Sequence, residues 1–268
     1  MSSHRRAILT VYYVCCLSIF LIILLKHQIS LDVSTWVSIF TFSILVTIFD
    51  ENPIVLPSGE SLALVTPILF CTSVIFGIYV TFVIIFIMIV SLVILKPKKW
   101  LLHLFNGIQY GLSSYVGLEL FEYFNGGIGW LELSTPLSYI AFGISYFCAN
   151  VLLLSTYLNI KNNISLKDMI GVFLEKKNVL IYFTMMSLGV LMTIVYSVEG
   201  LKGILLFCLV IWGIGVSFQN YYKMFDHFRD LSTKDELTGL YNHRFFQETL
   251  KTVIQEEKLV SLLLLDLD

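Results

Sequence analysis

The apolar run LVSLLLLDLD carries two carboxylates, Asp266 and Asp268, one residue apart at its carboxyl end. A run so short and so apolar reads as a fully buried strand, and open sheets bind their ligands at the carboxyl ends of strands. Upstream, in DELTGLYNHRFFQETL, Thr238-Gly239 has the composition of a turn and Asn242 that of a helix N-cap. Phe245, Phe246, Leu250 and Ile254 then recur at helical spacing.

A second set of polar residues lies inside apolar segments. Asn106, Gln109, Tyr110 and Ser113 share one face of a helix, Glu119 and Glu122 lie near its far end, and Asn150 sits inside the next segment. Polar groups in a membrane span are costly and mark sites more often than chance would. The competing use of such a face is interhelical hydrogen bonding, and the competing place for the two glutamates is a solvated rim. Asn106, Gln109, Tyr110, Glu119, Glu122 and Asn150 are therefore the candidate sensor site. The cysteines Cys15, Cys16, Cys71, Cys148 and Cys208 all fall in apolar runs without ligand spacing and read as packing residues.

The elements that must position these groups follow from composition. With 57% hydrophobic residues, 13% charged residues and a mean hydropathy of +0.84, the chain is that of an integral membrane protein rather than a soluble domain. A net charge of −2 gives no reason to invoke nucleic acid. Apolar segments fall at 7–25, 34–49, 61–76, 78–95, 101–121, 135–159, 178–198 and 201–221, which predicts a helical bundle of about eight transmembrane helices. Segments 34–49 and 61–76 are short, and Pro67 interrupts the second, so a single span with a re-entrant piece is the alternative there. Residues 1–25 begin like a signal peptide but end without a small-residue cleavage site, and read as a retained first span.

Charge orients the bundle. With the amino terminus inside, the inner loops hold Arg5, Arg6, Lys96, Lys98, Lys99, Lys161, Lys167, Lys176 and Lys177, and the outer loops only Lys26 and Lys202. Short cytoplasmic loops carry the excess of Lys and Arg, so both termini are expected in the cytoplasm. After the last segment, Phe218, Tyr221, Phe225 and Phe228 follow a 3-4-3 spacing with polar residues between them. That is a short heptad seam, suited to pairing two copies of the chain; the alternative is an amphipathic helix lying on a membrane or on the next domain.

The segment DELTGLYNHRFFQETL resembles the opening motif of the GGDEF domain family, D-x-L-T-G-L-x-N-R-R-x-F. Asp235, Leu237, Thr238, Gly239, Leu240, Asn242, Arg244 and Phe246 match, and His243 replaces the first arginine of the pair. The resemblance implies that Asp266-Leu267-Asp268 is the family's first metal motif, with the Asp266 carboxylate and the Leu267 carbonyl binding Mg²⁺ that carries the phosphates of GTP. It implies a diguanylate cyclase, which joins two GTP molecules held on two facing domains into cyclic di-GMP. It covers residues 234–268 only. The G-G-D-E-F sequence, the phosphate-binding lysine and the guanine-recognising residues are not among them, so a complete cyclase site is expected only in a longer parent.

The stretches PIVLPSGESLALVTPILF, LFNGIQYGLSSYVGLELFEYFNGG and SYFCANVLLLSTYL look like the multi-span input region attached to many bacterial GGDEF and HD-GYP proteins. The expected organisation is a membrane sensor region over 1–217, a helical linker over 218–233 and the start of an α/β GGDEF domain over 234–268. The protein would sit in the bacterial inner membrane as a homodimer joined through the linker. The alternative function is non-enzymatic, as a membrane sensor without output or a degenerate receptor for cyclic di-GMP.

Overall fold

The computed structural model describes residues 3–26, 32–55, 61–62, 64–129, 134–235, 238–255, 261 and 263. The chain divides into two units, residues 1–212 and 213–268. The described elements are α1 Ser3–Lys26, α2 Val33–Glu51, the two-residue strands β1 Ile54–Val55 and β2 Ser61–Leu62, α3 Val65–Leu95, α4 Trp100–Tyr123, α5 Pro136–Asn162, α6 Leu166–Phe173, α7 Lys176–Thr233 and α8 His243–Gln255. β1 and β2 pair antiparallel, Ile54 opposite Leu62.

Among the described residues, five helices are long and apolar enough to cross a membrane: Arg5–Leu25, Val33–Glu51, Val65–Leu95, Pro136–Asn162 and Lys176–Phe225. The expectation of about eight separate spanning helices is corrected to this count. Segments 61–76 and 78–95 fall on the one helix α3, and 178–198 and 201–221 on the one helix α7. The segment at 101–121 becomes α4, which is not among the five; His103, Asn106, Gln109 and Glu119 dilute its hydropathy.

Two of these helices nevertheless double back. Gly77 in α3 has φ 79° and ψ 178°, and Gly200 in α7 has φ 61° and ψ −146°, conformations open to glycine because it lacks a Cβ. Across Gly77, the Thr81 hydroxyl lies 3.3 Å from those of both Thr72 and Ser73. Residues eight apart in a straight helix are separated by about 12 Å, so the halves of α3 run back alongside each other. Across Gly200, a Cβ added at Gly203 would stand 2.7 Å from Val195 Cγ1. The two halves of α7 meet in the same way.

The contacts sort the first unit into two ends. At one end Arg5 bonds Asn163, the Tyr13 hydroxyl donates to the Leu101 carbonyl at 3.3 Å, Phe105 stacks on Tyr157 at 4.0 Å, and Lys96 pairs with Glu51. At the other, Tyr196 packs on Phe76 and Phe42 beside Ser38, Phe121 meets Tyr139, and the Gly129 amide donates to the Val74 carbonyl next to the Gly77 turn. Consecutive segments alternate in direction between these ends. The start of α2 is closed by Asp32, whose carboxyl accepts from the Thr35 amide at 3.1 Å and from the Ser34 hydroxyl. Those bonds hold the Asp32 carboxyl down at about 2.

The core of the unit is aliphatic and aromatic, with Ile39, Phe42, Ile68, Phe82, Ile84, Phe121 and Phe142 fully buried. Its outer faces stay apolar as well: Ile22, Leu25, Phe183, Leu206 and Leu209 are each more than half exposed. An apolar surface on helices of this length suits a lipid environment. Helices α1, α3 and α4 approach closely at Gly111, where a Cβ would stand 2.6 Å from Phe20 and 2.7 Å from Phe82. Those two rings already pack edge to face at 4.4 Å. Gly111→Ala is therefore expected to cost about 1–3 kcal/mol by overpacking, read as a lower thermal midpoint of the detergent-solubilised protein. An unchanged midpoint would mean that the rings move aside freely.

The α/β start expected at the carboxyl end is seen only as a turn and the helix α8. Of the predicted strand only Ser261 and Leu263 are described, neither of them in a strand, and Asp266, Leu267 and Asp268 lie outside the described residues.

Candidate functional site

The opening motif of residues 235–246 folds as a closed local unit. The Asp235 carboxylate accepts from the Thr238 amide at 3.0 Å and from its hydroxyl at 2.8 Å, while the Asp235 amide donates to the Leu240 carbonyl at 2.8 Å. Gly239 completes the turn with φ 70°, and Lys234 bridges Tyr241. Asn242 caps α8: its side-chain oxygen accepts from the Phe245 amide at 3.0 Å, and its amide group donates to the Ser232 carbonyl at 2.8 Å. Arg244 pairs with Glu248 one turn on, and Tyr241 stacks on Phe245 at 3.9 Å. The side chains of Asp235, Thr238 and Asn242 are thus committed to backbone positions, which is an architectural role. Phe246 is part-exposed on α8, and Leu237 lies outside the described residues.

The candidate sensor residues of the membrane unit do not converge on one place. Gln109 donates to Asn150 at 3.1 Å, joining α4 to α5 in the interhelical role. The Tyr110 hydroxyl reaches Asp50 at 3.4 Å. Asn106 is half-buried on the same helix, one turn after His103. Glu119 and Glu122 stand at the opposite end, where with Tyr79, Tyr115 and Ile128 they line a recess of about 250 Å³ around the Gly77 turn. The six residues stand in separate places, because α4 is long enough to carry its polar residues from one end of the unit to the other.

Sequence reasoning missed one close group of ionisable side chains among the described residues. Asp50 and Glu51, the last residues of α2, meet His103 on the first turn of α4, with their ligand atoms all within 4.8 Å of one another. Lys96, at the end of α3, pairs with Glu51. Asp50 and Glu51 are half-buried, and His103 is buried with 4% of its surface exposed. Neither ring nitrogen of His103 meets a hydrogen-bond partner among the described residues. The available signal was the placement of acids and a histidine at the ends of two neighbouring apolar segments.

Comparison with family models, with curated proteins and with solved structures yields no match.

Proposed function

We propose that this chain is the membrane-anchored front of a signalling protein whose full-length form condenses two GTP into cyclic di-GMP under control of the membrane region. The observation that carries this reading is the opening motif, in which Asp235, Thr238, Gly239 and Asn242 each occupy the structural position their residue type demands. A turn and a capped helix leading toward Asp266-Leu267-Asp268 support a domain that binds Mg²⁺–GTP through hard oxygen donors. Measuring cyclic di-GMP formed from GTP by the full-length protein tests the proposal. No product from correctly folded protein in the presence of Mg²⁺ refutes it.

The finer topology belongs to the same proposal. With α3 turning at Gly77 and α7 at Gly200, successive segments return to the end of the first unit that holds Arg5, and that end and both termini lie on the cytoplasmic side of a bacterial inner membrane. The alternation of segments between the two ends supports it, as does charge. Arg5, Lys96 and Lys161 belong to one end, the side the positive charges favour for the cytoplasm. Cytoplasmic termini also give a nucleotide-binding domain access to GTP. A reporter active only in the cytoplasm, fused after residue 230, is expected to be active. A silent reporter on well-expressed protein rules the topology out.

A further inference from the structure

We infer that Asp50, Glu51 and His103 form a binding site for a divalent transition-metal ion of the zinc class at one end of the membrane unit. Helix α2 ends in two carboxylates and helix α4 begins with an imidazole facing them, their ligand atoms within 4.8 Å of one another. Ligands held at 2.0–2.2 Å from one zinc ion lie at most about 4.4 Å apart, so small side-chain rotations close the site.

His103 separates this group from an ordinary acidic cluster. A neutral imidazole has one nitrogen that donates and one that accepts, and both of its nitrogens here are buried without a partner among the described residues. Leaving such groups unsatisfied costs free energy. A metal ion on one nitrogen removes part of that deficit and uses the two carboxylates at the same time. The donor set selects the class of ion: Mg²⁺ and Ca²⁺ take oxygen ligands, whereas an imidazole with carboxylates suits Zn²⁺ and its neighbours. Three protein ligands leave a further position for water or another donor.

The neighbourhood also holds a competitor. Lys96 is ion-paired to Glu51, and the Tyr110 hydroxyl is bonded to Asp50 at 3.4 Å. An incoming dication takes Glu51 from Lys96 and frees the lysine at the C-cap of α3. Metal and Lys96 then compete for the charge of Glu51. This inference concerns the membrane unit alone and does not depend on the cyclase reading.

The test is titration of the purified chain in detergent micelles with Co²⁺, whose visible ligand-field bands report imidazole and carboxylate coordination, followed by displacement with Zn²⁺. One Co²⁺ per chain is expected, displaced by Zn²⁺ and not by excess Mg²⁺. His103→Gln is expected to weaken binding by about tenfold or more. Lys96→Ala, which keeps all three ligands, is expected to tighten it. Absence of the bands in the wild type, displacement by Mg²⁺ as readily as by Zn²⁺, or equal affinity in His103→Gln overturns the site. Should His103→Gln not fold, Lys96→Ala decides: unchanged or weaker binding there overturns the assignment.

Discussion

In the full-length protein, Asp266→Asn is expected to lower cyclic di-GMP synthesis on the order of 100-fold while expression and membrane insertion stay normal. The argument is electrostatic. Mg²⁺ dehydrates reluctantly and is held by one or two carboxylates plus the phosphates of the nucleotide. An asparagine keeps an oxygen at the same distance along the side chain but removes the negative charge that holds the ion. Without the ion, the charge of the triphosphate is not neutralised, and the α-phosphorus is shielded from the attacking ribose 3′-hydroxyl. On the same proposal Leu267 would contribute through its carbonyl, so a side-chain change there is expected to matter far less. The readout is product formed per purified protein at fixed Mg²⁺ and GTP. Undiminished product in Asp266→Asn would remove the metal role from Asp266.

The second large effect is expected at the aromatic stripe near the end of α7. Phe218, Tyr221, Phe225 and Phe228 are each more than half exposed in the single chain. Spaced 3, 4 and 3, they lie along one face, and on the proposed pairing a second copy in parallel would pack ring against ring across the stripe. A product made from two GTP-loaded domains requires those domains to meet, and the register of the pairing sets how they do. One residue inserted after Lys223 turns Phe225 and Phe228 by about 100° away from Phe218 and Tyr221, whereas seven inserted residues bring them back to the same face. The single insertion is expected to change cyclic di-GMP output by roughly fivefold or more, and the seven-residue insertion far less. Cysteines placed at position 225 should cross-link between copies in the wild type and lose that cross-link on the single insertion. Unchanged output and unchanged cross-linking in both variants would reduce the stripe to a tether.

The amino-acid sequence by itself determined the membrane class of the first unit and the local form of the opening motif. Both depend on neighbouring residues: hydropathy accumulates along a contiguous run, and the Asp235 turn and the Asn242 cap close within three residues of the side chains that make them. The breaks in the apolar pattern at Gly77 and Gly200 were legible too. Which side chains meet across those breaks was not, because Thr81 returns to Thr72 and Gly203 to Val195 only in the packed chain.

Tertiary structure alone decided which polar residues share a place. The helical face of Asn106, Gln109, Tyr110 and Ser113 did not show that Gln109 is drawn to α5 and Tyr110 to α2, while Glu119 and Glu122 line the far turn. Asp50 and His103 are far apart in sequence, and no periodicity relates them. They meet because α2 and the second half of α3 end, and α4 begins, at the same end of the unit, a direction set by the turn at Gly77 and by the packing of α4 against its neighbours through Gly111. Side chains of opposite and matching charge converge there only once the burial of apolar surface has fixed the order and polarity of the helices.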